Sequence, residues 1–168
     1  MKNRFDMRKV QKHFEAALLE DENVKMSEYN KGYAELCLMF IQLGRLFTIV
    51  SNDTKMKLEV LEKFRHSRKS KNYQIIRKML EYEKENNFSD SYNPPSGSRT
   101  LLDLNRALEF ILSLMEIFRD STAGEKMSLK FIEAYDRHMA EHQNAAINTA
   151  IRLALRFLPS KEKLISPE

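Results

Sequence analysis

The sequence predicts an all-α protein with its helices in layers, and three observations carry that prediction. Apolar residues recur at helical spacing along almost the whole chain, and no stretch alternates with a period of two. Four glycines and four prolines in 168 residues are about 5%, against an average near 12%. So few turn formers do not suit a sheet with many tight hairpins. One stretch, about Arg99 to Arg119, is apolar nearly all round, as a helix in the middle of a layered helical protein is.

A first helix is expected from about Met7 to Glu20, with Val10, Phe14, Ala17 and Leu18 on one face. Ser27 is the expected N-cap of a second, whose stripe is Leu36, Met39, Phe40, Leu43, Leu46, Phe47 and Val50. Gly44 in that stripe marks either the close approach of a neighbour or a break between two helices. The pattern continues through Met56, Leu58, Val60, Leu61 and Phe64 to a basic run, Arg65 to Lys71, read as a solvated connector. Another helix is expected over Tyr73 to Glu85. Asn86 to Ser98, with Pro94, Pro95 and Gly97, is the clearest loop. After the apolar helix, Thr122-x-x-Glu125 reads as a capping box opening a helix to about Ala140. A last helix spans Glu141 to Phe157 and ends before Pro159. With no internal repeat, residues 1–168 are expected to form one domain, of a length that suits a single core.

Composition narrows the function classes. One cysteine, Cys37, excludes an internal disulfide framework and a cysteine-based zinc site, and it fits a reducing compartment. No apolar run approaches the ~20 residues that span a bilayer, and the opening MKNRFDMRKV lacks the apolar core of a signal peptide. A cytoplasmic protein is expected. The net charge of +4 permits an anionic partner without demanding nucleic acid, and no nucleic-acid partner is expected.

No nucleotide loop, serine-nucleophile elbow or carboxylate dyad is present, so neither an enzyme nor a cofactor is expected. His138-Met139-Ala140-Glu141-His142 matches the H-x-x-E-H pattern of one metalloprotease class, in which two histidines one turn apart bind zinc. Only 26 residues (143 to 168) follow, without an acidic helix to supply a third ligand. Capping and surface roles account for these residues more simply, and no metal is expected.

The charged residues beside the apolar stripes are more informative. Asp53 and Lys57 lie one helical turn apart, directly after a strongly apolar stripe. Arg99 begins the most hydrophobic helix, and Arg106 follows two turns on along roughly the same side. A carboxylate and cations beside so apolar a set of helices suit an amphiphilic ligand, although each pair is also an ordinary surface ion pair.

At these residues the chain resembles the glycolipid transfer protein superfamily. Leu43-Gly44-Arg45-Leu46-Phe47 followed by Ser51-Asn52-Asp53-Thr54-Lys55-Met56-Lys57-Leu58 is similar to one family segment. Ser98-Arg99-Thr100-Leu101-Leu102-Asp103-Leu104-Asn105-Arg106-Ala107-Leu108-Glu109-Phe110 is similar to a second. Glu133-Ala134-Tyr135, Ala140-x-His142 and Leu158-Pro159-Ser160-Lys161-Glu162 follow its C-terminal pattern. The resemblance implies a two-layer helical sandwich enclosing a hydrophobic pocket, which carries one sphingolipid between membranes. It implies that Asp53 accepts from the amide of the sphingoid backbone. Lys four residues after that Asp, here Lys57, is the feature of the ceramide-1-phosphate branch. Arg99 matches that branch's first phosphate-binding Arg, and Arg106 a family Arg of more structural role.

Three departures stand out. The second phosphate-binding Arg of the branch falls at Asp103, which reverses a charge where an anion is expected. The family histidine aligns with either His142 or Gln143. The chain has no Trp, so the indole platform for a sugar is missing, with Phe110 or a neighbour in its place. The expected partners are therefore a sphingolipid and, transiently, a membrane surface. Phe88 and Tyr92, or Leu164 and Ile165, are candidate membrane-touching tips, although ordinary packing explains them equally well. A monomer is expected. The competing reading is a lipid sensor or helical adaptor that kept the fold and lost transfer.

Overall fold

The computed structural model describes residues 4–42, 47–122, 124–158 and 160–161. Among the described residues seven α-helices run in order: α1 (Met7–Ala17), α2 (Met26–Gln42), α3 (Thr48–Arg65), α4 (Ile76–Glu85), α5 (Gly97–Asp120), α6 (Ser128–His138) and α7 (Ala145–Arg156). Among the described residues there is no strand, only three isolated bridges. The Cα positions fall into two compact units. The first holds α1 to α4 and the opening of α5 through Asp103, and the second holds the rest of α5 with α6 and α7.

In the first unit α2 packs against both α1 and α3. The ring of Phe14 meets Tyr29 and Tyr33 edge-on at centroid separations of 5.9 and 6.3 Å. Gly32 makes that approach possible, because a Cβ there would stand 3.1 Å from the Phe14 ring. Ser51, Thr54, Leu58 and Leu61 form the buried stripe of α3 at spacings of three and four. A second aromatic run joins Phe64, stacked on Tyr73 at 4.7 Å, to Tyr82 and then Phe88.

In the second unit α6 packs on α7. Phe110 of α5 meets Tyr135 of α6 edge-on at 5.6 Å. The Tyr135 hydroxyl donates to Asn148 Oδ1 of α7 at 2.6 Å, while Asn148 Nδ2 donates to the carbonyls of Ala140 and Gln143. Lys161 Nζ donates to the carbonyls of Ser121 and Arg119, placing a cation where the C-terminal carbonyls of α5 need donors.

Helix ends depart from the expectations, for local reasons. α1 stops at Ala17 rather than Glu20, because Leu18 turns extended and bridges Val24 around a turn with Glu22 at φ 61°. Ser27 is not an N-cap. α2 already begins at Met26, and Lys25 is held by a bridge to Ile75. α2 ends at Gln42 and α3 starts at Thr48, so two helices stand where one stripe ran; Gly44 itself lies outside the described residues. The basic run is largely exposed but not wholly solvated: Arg65 is the last residue of α3 and pairs with Glu62. α4 starts at Ile76, after a 3-10 turn at Ser70–Asn72. The Thr122–Glu125 box forms, with Thr122 N donating to Glu125 Oε2 at 3.0 Å, yet it closes a turn at Gly124 (φ 79°) and α6 begins only at Ser128. The last helix starts at Ala145, capped by Asn144 Oδ1 accepting from Ile147 N, rather than at Glu141. Pro159 lies outside the described residues.

α5 is not covered all round. Leu104, Phe110, Ile111 and Leu114 are buried, whereas Leu102 and Leu112 are exposed. At 100° per residue those two leucines share a face with Asn105, Glu109 and Glu116, the polar side of the helix.

Candidate functional site

The four hydrogen-bond donors that open α5 are all accounted for, and this fixes where Arg99 stands. Gly97 N and Ser98 N donate to the two oxygens of Glu83, at 2.8 and 2.7 Å. Arg99 N donates to Ser96 Oγ at 3.0 Å and Thr100 N to Ser96 O at 3.0 Å. Glu83 is fully buried on α4 and also accepts from the Tyr73 hydroxyl at 3.1 Å. A carboxylate there answers the positive end of the helix. A Cβ on Gly97 would lie 2.4 Å from Met79 Sδ and 3.0 Å from Glu83 Oε1, so only glycine admits the contact. Burial pushes the Tyr73 hydroxyl pKa far upward, with the Glu83 carboxylate adding to the shift, and keeps that group a neutral donor.

Arg99, in the first turn of this clamped start, ion-pairs with Asp103 at 3.6 Å between Nη2 and Oδ1. Its guanidinium lies over the Tyr92 ring, 4.3 Å from the centroid. On α3, Lys57 Nζ donates to Asp53 Oδ2, and Lys57 is the more buried partner. They lie one position before the buried Thr54 and Leu58, at the rim of that stripe. Asp53, Lys57, Arg99 and Asp103 thus form two one-turn pairs within the first unit. Arg106 is half-buried on the part of α5 that belongs to the second unit.

His142 is exposed and ends a 3-10 turn, Ala140–His142, and Gln143 after it is half-buried in extended backbone. α6 stops at His138, so His138 and His142 do not share a helix face, and the H-x-x-E-H spacing does not become a zinc register. His138 instead meets Ser113 Oγ at 3.0 Å and Glu109 at 3.5 Å. Among the described residues, no cluster of three or more His, Cys, Asp or Glu is arranged to hold a metal. Phe110 is buried against Tyr135 and offers no exposed platform. Of the expected tips, Phe88 packs on Tyr82 and Tyr92 on Arg99, while Leu164 and Ile165 lie outside the described residues. No described helix is long and apolar enough to cross a membrane.

Two residues at this site, Ser96 and Glu83, are absent from the sequence-based expectations, and Tyr92 figures there only as a candidate membrane-touching tip, not as a partner of Arg99. Ser96 carried a usable signal, a serine three residues before Arg99 at the end of a loop. Glu83 and Tyr92 carried none, because they reach α5 from other segments.

Such a set of groups offers a carboxylate acceptor and cationic donors held beside apolar helices. It suits a ligand with an amide or hydroxyl donor and an oxyanion. The family model for glycolipid transfer proteins matches residues 24–167. The ceramide-1-phosphate transfer protein of Danio rerio is 34% identical over 166 residues, covering 96% of this chain and 79% of that protein. The crystal structure of the mouse ceramide-1-phosphate transfer protein in its apo form superposes with a TM-score of 0.85 at 30% identity, over 96% of this chain and 79% of that one. The human protein in complex with 2:0 ceramide-1-phosphate gives a TM-score of 0.87 at 28% identity, with the same coverage. With its family's pattern matched across nearly its whole length, the chain belongs to the glycolipid transfer protein family.

Proposed function

We propose that this protein binds a sphingolipid and carries it between membranes without catalysing a reaction. The observation that carries the reading is the family match over residues 24–167, with relatives that are ceramide-1-phosphate transfer proteins. The match runs through both units, which supports one functional domain. The acyl chains enter an apolar pocket between helices, where each buried methylene contributes about 0.8 kcal/mol, and polar groups at its mouth set selectivity. Asp53 accepts from the sphingoid amide. Lys57 and Arg99 donate to the headgroup, and the family resemblance adds Arg106 and either His142 or Gln143 as headgroup-binding positions. Asp103 tempers its affinity for phosphate. The protein works as a cytoplasmic monomer that touches a membrane surface transiently.

The Arg99–Asp103 ion pair favours a second reading, a lipid sensor that kept the fold and lost transfer, because that pair already occupies a cation the phosphate needs. Transfer of fluorescent ceramide-1-phosphate between vesicles separates the two: a carrier accelerates exchange, whereas a sensor binds without doing so. Asp53→Val tests the site itself. The half-buried rim position predicts a folded variant, by circular dichroism, with sphingolipid binding abolished. Were Asp53 only the partner of Lys57, the substitution would cost less than about 1 kcal/mol of stability and leave lipid affinity unchanged, and that result rejects the assignment.

A further inference from the structure

The contacts of Arg99 carry a role for a residue outside the family pattern. The side-on edge of a guanidinium presents two parallel donors, Nε–H and one Nη2–H. At Arg99 that edge is half used. Asp103 Oδ1 stands 3.6 Å from Nη2, beyond the roughly 2.7–2.9 Å of a charge-assisted hydrogen bond. Nε is buried with no hydrogen-bond partner, as is the neighbouring Ser98 Oγ. What holds the guanidinium is therefore mainly the Tyr92 ring, 4.3 Å from Cζ.

That ring is set by its own loop. Tyr92 bridges to Pro95, Ser91 Oγ donates to Pro94 O at 2.7 Å, and Ser96 N donates to Ser91 O at 3.0 Å. Ser96, which closes this loop, is also the residue that caps α5 at Arg99 N. The ring is nonetheless 68% exposed, so burial of its own surface does not explain its place. The attraction of a cation to an aromatic face holds anywhere within about 6 Å of the ring centroid, so a small swing of the Arg99 side chain leaves the contact in place. Such a swing can exchange one acceptor for another without leaving the ring.

We infer that Tyr92 is the positioning residue for Arg99: its ring is the platform over which the guanidinium turns from Asp103 to an oxyanion of the lipid headgroup. The inference rests on the sphingolipid reading above and deepens it. The ring acts only through the cation, so it favours an anionic head and leaves an uncharged one unaffected.

The test compares short-chain fluorescent ceramide-1-phosphate with ceramide of the same chains, bound to wild type, Tyr92→Leu and Tyr92→Phe, each also in an Arg99→Gln background. Tyr92→Leu should lower ceramide-1-phosphate affinity about two- to fivefold, the size of an exposed cation–π contact, and leave ceramide binding unchanged. Tyr92→Phe, which keeps the ring, should restore the ratio, and neither change should matter once Arg99 is Gln. Equal losses for both lipids, no loss in Tyr92→Leu, a Phe variant as weak as the Leu variant, or an effect that persists without Arg99 each overturn the inference while leaving sphingolipid binding in place. A wild-type protein that binds neither lipid overturns the sphingolipid reading and this inference with it.

Discussion

Replacing Asp103 is the most direct probe of how this site treats charge. Asp53 and Lys57 cancel on α3, and Arg99 and Asp103 cancel on α5, so two cations and two carboxylates leave the four side chains neutral. A phosphate gains Arg99 only in competition with a carboxylate 3.6 Å from it. The side chains of Arg99 and Asp103 are 22% and 29% exposed, so water screens the pair and its own worth is at most about 1 kcal/mol. The repulsion matters more. At roughly 6 Å and an effective dielectric of about 40, between the surface and bulk-water values, one unit of phosphate charge beside Asp103 costs about 1.4 kcal/mol. Asp103→Asn removes both terms at nearly constant volume, so affinity for ceramide-1-phosphate should rise about tenfold. Asp103→Arg adds a charge-assisted contact of about 1.5–3 kcal/mol, and its gain should be larger still.

The assay is equilibrium binding of fluorescent ceramide-1-phosphate at low salt, where the Debye length exceeds the size of the site, and again at about 1 M salt, where it falls to about 3 Å. Ceramide with the same chains is the control, and its affinity should not move. Both gains should shrink at high salt. If neither variant binds the phosphate lipid more tightly at low salt, Asp103 does not face the headgroup and its role is confined to pairing on the surface of α5.

Two further outcomes concern stability. Glu83→Ala leaves the Tyr73 hydroxyl and the amides of Gly97 and Ser98 without their acceptor inside the protein, and should cost about 3 kcal/mol in urea unfolding, while Glu83→Gln, which keeps one acceptor, should cost less; a loss below about 1 kcal/mol for the alanine variant would show that the α5 start does not depend on this clamp. Hydrogen bonds from Lys31 and then His13 depress the Glu28 carboxyl from 4.5 to about 2. A depressed acid stabilises the fold above its unfolded pKa, so this contribution is whole above about pH 4.5 and is lost as pH falls towards 2. Glu28→Gln should therefore flatten the acid dependence of stability in that window, and an unaltered profile would remove Glu28 from the tie between α1 and α2.

What the sequence discloses depends on how far apart in the chain the partners stand. Asp53–Lys57 and Arg99–Asp103 are contacts one turn apart on single helices, and both are readable because helix geometry alone brings such residues together. The same rule misleads at His138 and His142, which have the right spacing but not an unbroken helix beneath them, since α6 ends at His138. Helix existence is legible from apolar period, whereas helix ends are not. Lys25 at the start of α2 is fixed by a bridge to Ile75, fifty residues on, and no local motif competes with such a contact. Glu83 and Tyr92 belong to this second kind, reaching α5 from α4 and from the 86–96 loop. The charges proposed to meet a headgroup are thus written in helical spacing, while the groups packed around Arg99 are written only in the fold. A substitution at Tyr92 or Glu83 consequently changes how Arg99 is presented without altering any residue of the family pattern.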